Sequence, residues 1–303
     1  MKIVIPDDYQ DAVRHLDGFA KLAGHEVTIY HDTVKDVDAL AERFRDAEAL
    51  VLIRERTEIT AALLDRLPRL RQIAQTGRGT AHIDMEACAQ RGIRVTTGSG
   101  SPVAPAELTW ALVMSAMRRI PEEAAALRAG RWQSTLGRAL RGRTLGIWGF
   151  GKIGALVAGY GRAFAMRVLA WGREGSITRA AAGGFETASS REQLFAESDV
   201  LSLHLKLTKE TRGIVTREDL GRMKPDALLV NTSRAELIAP GALRDALGAG
   251  RPGFAAVDVF KSEPAVDDPL LRLPNVLATP HLGYVEKDNY ELYFGEAFDA
   301  LLR

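Results

Sequence analysis

Cysteine is nearly absent from this chain of 303 residues, which contains only Cys88. A single thiol excludes an intrachain disulfide and any metal site built from several cysteines. Because Cys88 falls within a predicted helix, we expect it in the core rather than as a nucleophile. An excess of charge is absent too, since the formal net charge is +1. The sequence therefore offers no basic surface that would predict nucleic acid as a partner.

Long apolar runs are also missing. No stretch approaches the roughly 18 apolar residues that predict a membrane span. The start of the chain, Met1–Pro6, lacks the apolar region and cleavage site of a signal peptide. His204 has no second ligand at a metal-binding spacing, and no metal is predicted. These absences favour a cytoplasmic protein with no membrane partner. At 46% hydrophobic and 26% charged residues, the composition is that of an ordinary globular protein.

Short apolar strands alternate with amphipathic helices along the chain, which predicts βαβ units and parallel sheets. In the first third we predict strands at 2–5, 26–30, 49–53, 70–74 and 93–96. After residue 140 we predict strands at 145–148, 168–171, 200–204, 228–231, 255–259 and 276–278. Gly98–Pro102 interrupts the pattern and is typical of a hinge. The predicted fold class is α/β with two domains.

A glycine-rich motif joins one strand to the next helix. Gly149-Phe-Gly-Lys-Ile-Gly154 follows the apolar run Leu145–Trp148 and precedes a helical stretch, Ala155–Phe164. In this order Gly149 permits a tight turn, Gly151 lets a pyrophosphate approach the backbone, and Gly154 lets helix and strand pack closely. The helix N-terminus offers N–H groups to the phosphates. We favour a dinucleotide site over a purely structural turn.

Three side chains just after predicted strands suit hydride-transfer chemistry: Arg234, Glu263 and His281. A nicotinamide carries the hydride, so the protein must manage one proton and one carboxylate. Histidine titrates near neutrality, and a glutamate can hold its charged form. Arginine presents a bidentate fork to a carboxylate. Taken singly, each residue has an ordinary alternative as a loop histidine, a turn glutamate or a surface charge.

Four motifs together are similar to those of one family. They are Gly149-Phe-Gly-Lys-Ile-Gly154, Leu229-Val-Asn-Thr-Ser-Arg234, Asp258-Val-Phe-Lys-Ser-Glu-Pro264 and Thr279-Pro-His-Leu-Gly283. Because these motifs occur in the same order and at similar spacing, the chain resembles the D-2-hydroxyacid dehydrogenase family. The resemblance covers essentially its whole length. That family includes D-lactate, glycerate and 3-phosphoglycerate dehydrogenases and the glyoxylate/hydroxypyruvate reductases. The resemblance implies reversible hydride transfer between NAD(P) and a small 2-oxoacid, which gives the D-2-hydroxyacid.

The resemblance also implies roles for individual residues. Arg234 would bind the carboxylate and keto oxygen of the substrate, His281 would be the acid/base, and Glu263 would pair with His281. Further residues would contact substrate, namely Arg54, Arg78, Gly79 and Tyr284. For Arg54 a salt bridge to Glu55 or Glu58 is an equal alternative. Residues implied to contact the cofactor are Gly149, Gly151, Lys152, Ile153, Gly154, Arg173, His204, Thr232 and Asp258.

One departure from the family pattern concerns the choice of cofactor. The second strand of the cofactor domain usually ends in an aspartate that binds the adenosine ribose, and Gly172 stands there instead. Loss of the carboxylate removes repulsion against a 2′-phosphate, and Arg173 offers a partner for it. Glu174 argues the other way if it points inward. We therefore expect NADP(H) to be slightly favoured over NAD(H).

The family architecture is a discontinuous substrate domain, here residues 1–100 and 285–303, with a dinucleotide-binding domain, 101–284, inserted in it. Both would be Rossmann-like or flavodoxin-like, and the helices near 104–140 would form a homodimer. Two alternative classes of protein share this fold. Formate dehydrogenases use glutamine where Glu263 stands, which disfavours them. Dinucleotide-binding corepressors usually keep the three residues, so only the absence of docking extensions disfavours that class.

Overall fold

The computed structural model describes all 303 residues, and the chain separates into two compact units. The first comprises residues 1–101 and 285–303, and the second comprises 102–284. Each contains one sheet whose strand pairs are all parallel. The predicted α/β class with two parallel-sheet domains is confirmed. None of the helices combines the length and apolar character that crossing a membrane requires.

The first unit has a five-stranded sheet in the order β2-β1-β3-β4-β5. Its strands are β1 (Lys2–Ile5), β2 (Glu26–Ile29), β3 (Ala49–Leu52), β4 (Gln72–Gln75) and β5 (Arg94–Thr97). Its α-helices are α1 (Val37–Phe44), α2 (Ala61–Leu64), α3 (Met85–Gln90) and α11 (Lys287–Leu301). The apolar face of α11 packs within this unit, where Phe298 meets Phe19 edge-on with ring centroids 6.3 Å apart.

Residues 9–22 have helical spacing in the sequence but form no α-helix. They fold into two 3-10 segments, Val13–His15 and Asp17–Leu22. Leu16 adopts an extended conformation between them, with φ −78° and ψ 145°. The N–H groups of Ala12 and Val13 are taken by the Asp8 carboxylate. Side-chain acceptors therefore compete here with the helical pattern.

The second unit has a seven-stranded sheet in the order β12-β11-β10-β9-β6-β7-β8. Its strands are β6 (Thr144–Trp148), β7 (Arg167–Trp171), β8 (Glu186–Thr187), β9 (Val200–Leu203), β10 (Leu228–Asn231), β11 (Phe254–Val257) and β12 (Val276–Ala278). Its α-helices are α4 (Val103–Met117), α5 (Ile120–Arg128), α6 (Lys152–Ala163), α7 (Glu174–Ala182), α8 (Arg191–Glu197), α9 (Arg217–Gly221) and α10 (Ala242–Gly248). The strand order reverses between β6 and β9, which in such sheets places a ligand crevice at the carboxyl ends of these two strands.

Strand ends in this unit decide which side chains reach the loops. β10 and β12 end where the apolar runs predict, but β9 and β11 stop one and two residues early. His204 and Asp258 consequently lie just beyond the strands rather than within them. Asp258 still binds back to the sheet, through its N–H and the carbonyl of Asn231 at 3.0 Å. At the end of β6, the buried ring of Trp148 packs edge-on against Phe195 of α8, with ring centroids 5.6 Å apart.

Candidate active site

The glycine turn after β6 has no room for side chains at two positions. Gly149 has φ +100°, and a Cβ there would lie 2.5 Å from the carbonyl oxygen of His204. A Cβ at Gly154 would overlap the carbonyl oxygen of Gly149. Glycine is therefore required on sterics alone at both places. The turn closes tightly against β9 on one side and against the first turn of α6 on the other.

The N-terminus of α6 is open where the turn meets it. Gly151 is the N-cap, no side chain caps the helix, and a Cβ at Gly151 would meet no atom within 4 Å. The first N–H groups of a helix need acceptors, and the helix dipole favours an anion there. Lys152 is exposed and Ile153 is half-buried beside this opening. The residues present thus fit the pyrophosphate of a dinucleotide.

Two arginines lie near the end of β7, whereas the sequence indicates one. Arg173 is the exposed N-cap residue of α7. In the second turn of α7, the Nε–H of Arg179 donates to the carbonyl oxygen of Phe150 in the glycine turn at 3.0 Å, and its Nη2 lies 3.5 Å from Ser176 Oγ. A Cβ at Gly172 would lie 2.9 Å from the Cβ of Ser176. The helical spacing of Ser176 and Arg179 is a signal for this cluster that the strand-end reading missed.

His204 forms part of the wall of this crevice. Its N–H donates to the carbonyl of Trp148 at 2.8 Å, and its Nε2 lies 2.9 Å from Ser202 Oγ. Burial lowers the pKa of His204 to about 4, so the imidazole is neutral at pH 7. A neutral ring beside the glycine turn adds no charge to the crevice.

A histidine and a glutamate meet beyond the ends of β11 and β12. The Nδ1–H of His281 donates to Glu263 Oε2 across 2.7 Å, with the tautomer assigned from this contact. The other oxygen of Glu263 accepts the N–H of Phe260 at 3.0 Å. Both carboxylate oxygens are therefore occupied, which fixes the orientation of the ring. The Nε2 of His281 remains the atom that can exchange a proton with a substrate.

Asp258 holds the loop that carries His281. Its fully buried carboxylate accepts hydrogen bonds from the Thr279 hydroxyl at 2.6 Å, the N–H of Leu282 at 2.7 Å and the N–H of Gly283 at 2.9 Å. Burial raises the pKa of Asp258, while the hydrogen bond from Thr279 acts in the opposite direction. His281 has φ +52°, a conformation that needs such support. These contacts link Asp258 directly to the position of His281.

The other predicted residues of this unit lie around the same strand ends. Arg234 follows β10, the neighbour of β11, and its carbonyl oxygen accepts from Asn231 Nδ2 at 2.9 Å. The hydroxyl of Thr232 is 2.7 Å from that of Thr109 on α4. Tyr284 is buried and stands edge-on to His281, with ring centroids 5.5 Å apart. The structure thus brings His281 together with Glu263, Asp258 and Tyr284.

The predicted residues of the first unit lie after β3 and β4. The N–H of Arg54 donates to Thr76 Oγ1 at 2.9 Å, and its guanidinium lies 5.6 Å from the ring centroid of Tyr293. A Cβ at Gly77 would overlap that guanidinium. Arg78 is exposed and Gly79 is half-buried on the loop that follows β4. Sequence spacing does not predict the contact with Tyr293, because this residue lies in α11, near the opposite end of the chain.

One cluster has the spacing of metal ligands: Asp8, Asp11 and His31 offer atoms that lie within 4.8 Å of one another. Both oxygens of Asp8 accept backbone N–H groups at 3.0 Å, from Ala12 and Val13. Asp11 forms an ion pair with Arg14. We assign these groups to the local fold of the 3-10 segments.

A doubly wound parallel sheet with a glycine turn at its switch point defines the dinucleotide-binding class of α/β proteins. Within that class, residues 110–283 match the NAD-binding domain of the D-isomer specific 2-hydroxyacid dehydrogenases. The chain belongs to the D-isomer specific 2-hydroxyacid dehydrogenase family.

Three relatives show the range of the similarity. The crystal structure of a phosphoglycerate oxidoreductase from Vibrio cholerae is 53% identical with a TM-score of 0.97, covering 100% of this chain and 98% of that one. A glyoxylate reductase from Aeropyrum pernix is 41% identical over 256 residues, 80% of this chain and 76% of its own length. A D-3-phosphoglycerate dehydrogenase from Methanocaldococcus jannaschii is 36% identical over 287 residues, which is 93% of this chain. The match spans 53% of that dehydrogenase, about half of its length.

Proposed function

We propose that this chain is an NAD(P)-dependent oxidoreductase that interconverts a small 2-oxoacid and its D-2-hydroxyacid. The observation that carries the proposal is the 2.7 Å hydrogen bond between His281 Nδ1 and Glu263 Oε2, at the carboxyl edge of the sheet that also bears the glycine turn. An acid–base pair and an anion-binding helix terminus on one edge suit hydride chemistry. Membership of the 2-hydroxyacid dehydrogenase family supports the same assignment.

The cofactor would be held at the switch point of the sheet. The backbone of Gly149, Gly151 and Gly154 lets the pyrophosphate reach the N–H groups of α6, with Lys152 and Ile153 over it. Thr232 and Asp258 would lie at the nicotinamide half, and His204 would line the crevice that takes the cofactor. When bound, the nicotinamide supplies or accepts the hydride.

Proton transfer would belong to His281. In the direction of reduction its Nε2–H donates to the carbonyl oxygen of the 2-oxoacid, which becomes the hydroxyl group. Glu263 holds the ring and stabilises the imidazolium form before the transfer. Arg234 would bind the carboxylate of the substrate and polarise its keto oxygen. Asp258 acts here as a positioning residue, because its contacts run to the loop of His281.

Residues 1–100 and 285–303 would form the substrate domain, and residues 101–284 the cofactor domain. Backbone N–H groups at Arg78 and Gly79 would add donors to the substrate carboxylate, and Arg54 would supply a further cation. Tyr284 narrows the space next to His281, which favours a substrate with a small side chain. Two of the relatives are named for phosphoglycerate, a 2-hydroxyacid, and one for glyoxylate, a 2-oxoacid. Glyoxylate and the 2-oxoacid that corresponds to phosphoglycerate are therefore both candidates.

A turnover assay tests the proposal. Glyoxylate, hydroxypyruvate, pyruvate and phosphohydroxypyruvate would each be offered with NADH and with NADPH, and cofactor oxidation would be followed optically. We expect at least one 2-oxoacid to be reduced. Where the product is chiral, which excludes glycolate from glyoxylate, chiral analysis should find the D-isomer. If none is reduced while cofactor still binds, the enzymatic assignment is wrong and a binding protein of the same fold is favoured.

We propose that NADP(H) is preferred modestly over NAD(H). Arg173 and Arg179 flank the turn at Gly172, and no carboxylate ends β7 to repel a 2′-phosphate. The hydrogen bond from Thr208 is the main cause that lowers the pKa of Glu210, and the charge of Arg173 adds a smaller effect. A large catalytic preference for NADH would contradict this part of the proposal.

We also propose a homodimer formed through residues 104–140. Four large apolar side chains are exposed between α5 and the loop after it: Ile120 at 52%, Leu127 at 59%, Trp132 at 77% and Leu136 at 93%. Large apolar side chains exposed in one segment support the proposal, because contact surfaces are rich in such residues. Sedimentation of the wild type should give a dimer and Trp132→Ser/Leu136→Ser a monomer; a monomeric wild type would contradict it. A cytoplasmic location stays a prediction.

A further inference from the structure

A cavity lies in the unit formed by residues 102–284, and neither His281 nor the glycine turn lines it. Its volume is about 550 Å³, and it opens among the loops that follow β10 and β11 and the start of α10. That volume is within the range of pockets that enclose small organic ligands. Its walls are mainly apolar, with contributions from Ile238, Leu243, Val259, Phe260 and Leu270. The nearest predicted catalytic residues, Arg234 and Glu263, do not line it.

Positive charge is in excess at the rim of this cavity. Arg212, Arg244 and Lys261 stand there against two acids. Glu236 pairs with Arg212 at 3.6 Å, and Asp268 accepts the N–H of Leu270 at 2.9 Å. Arg244 forms an ion pair with Asp245 at 3.4 Å, and Asp245 also pairs with Arg217, so one carboxylate is shared between two arginines. Lys261 is exposed and makes no ion pair. Lys261 and the half-neutralised Arg244 are thus the cations that a ligand anion could meet beside the apolar walls.

We propose that this cavity is a regulatory site for a small molecule with an apolar body and one carboxylate. The apolar walls would take the body, and Arg244 and Lys261 would take the carboxylate.

The floor of the cavity connects it to the residues of the proposed reaction. Phe260 lines the cavity, and its N–H donates to Glu263 Oε1 at 3.0 Å. Asn231 lines it as well, and its Nδ2 donates to the carbonyl oxygen of Arg234 at 2.9 Å. A ligand that shifts either residue changes the support of Glu263 or Arg234. Occupancy would therefore act on kcat more than on the affinity for cofactor. This effect on turnover rests on the proposed function, whereas binding does not.

Calorimetric titration of the full chain with 2-naphthoate, and with the neutral 2-naphthamide as the matched probe, tests the site. We expect naphthoate to bind more tightly than naphthamide, and Lys261→Gln/Arg244→Gln to weaken naphthoate alone by about fivefold. Both substituted side chains are exposed, so the fold is not at risk, and Arg141→Gln serves as an exposed control that should change nothing. Saturation with NADPH should leave naphthoate binding intact.

Four results would overturn the site: no heat of binding, equal affinity for both probes, no effect of the double substitution, or displacement by NADPH. The regulatory role is measured separately, as kcat and KM with naphthoate at saturation. A fall in kcat with an unchanged KM for cofactor supports it, and an unchanged kcat overturns it. If the wild type has no turnover at all, the proposed function fails while the binding result still decides the site.

Discussion

Two regions at the same edge of one sheet are built in opposite ways. The glycine turn at Gly149–Gly154 is a backbone structure, in which two positions exclude any Cβ and the helix N-terminus beyond them is uncapped. The pair of Glu263 and His281 is a side-chain structure, supported by hydrogen bonds from Phe260 and by the carboxylate of Asp258. The glycine turn keeps its shape because side chains are missing at two positions. The pair of Glu263 and His281 keeps its geometry because specific atoms form hydrogen bonds. Substitutions should therefore damage the two regions in different ways.

The largest expected effect comes from adding a methyl group to the backbone structure. Gly154→Ala places a Cβ against the Gly149 carbonyl oxygen, so α6 must move away from β6. We expect the free energy of unfolding to fall by about 2–3 kcal/mol and cofactor affinity to fall at least tenfold. Gly159→Ala is the control, since its Cβ would meet no atom within 4 Å and alanine stabilises a helix. Equal stabilities of the two variants would refute the steric argument.

Removing one acceptor from the side-chain structure should have the next largest effect. Asp258→Asn keeps the shape of the side chain but turns an amide NH₂ toward one of three donors, from Thr279, Leu282 and Gly283. We expect a loss of about 1–3 kcal/mol in unfolding free energy and a fall in kcat, with cofactor affinity kept. Denaturant melts and fluorescence titration measure these quantities. A parallel loss of cofactor affinity would show that Asp258 acts on the cofactor instead.

His204 lies against the glycine turn, and its ionisation makes the stability of the protein depend on pH. Burial lowers its pKa from 6.5 to about 4, so the unfolded chain takes up a proton that the folded protein does not. Its contribution to stability is complete above pH 6.5 and is lost as the pH falls toward 4. Because the residue keeps some contact with solvent, the loss should be on the order of 2 kcal/mol. Melts at a series of pH values should find a flatter profile for His204→Gln, and identical profiles would contradict the account.

The smallest effect is expected from a substitution at the turn after β7, which lies beside the glycine turn. Arg173 is exposed, so its pairing with a 2′-phosphate is worth little more than a surface ion pair. Arg173→Gln should lower catalytic efficiency with NADPH about fivefold and leave that with NADH unchanged. An equal loss with both cofactors would remove Arg173 from cofactor selection and leave Arg179 as the candidate.

The two regions also differ in how far the sequence predicts them. The sequence predicts the strand, the glycine turn and the following helix, because their requirements lie within consecutive residues, although the helix begins at Lys152 rather than Ala155. The role of this turn in holding a cofactor stays a prediction. The choice of Glu263 and His281 as partners came from the family resemblance, and their contact is present in the structure. The contacts of Asp258 with the 279–283 loop were not predicted, since they join a carboxylate to backbone N–H groups 24 and 25 residues away.

Three further features of the structure are not predicted by the sequence, each for a physical reason. The two-residue strand β8 (Glu186–Thr187) is too short to leave a periodic pattern. Arg179 reaches the glycine turn from the second turn of α7, a position that a survey of strand ends does not include. Tyr293 reaches Arg54 across most of the chain, because α11 belongs to the first unit. Periodicity reveals the elements, whereas contacts between distant loops require the folded structure.

On the proposed function, the pair of Glu263 and His281 would transfer the proton and the glycine turn would hold the cofactor. The most direct measurement is the turnover of His281→Asn with the best 2-oxoacid substrate, together with its dissociation constant for reduced cofactor. His15→Asn, an exposed histidine in the first unit, is the matched control. The account predicts a fall in turnover of about 10²- to 10⁴-fold with the cofactor dissociation constant unchanged. Turnover near the wild-type value, or loss of cofactor binding in step with activity, would contradict it.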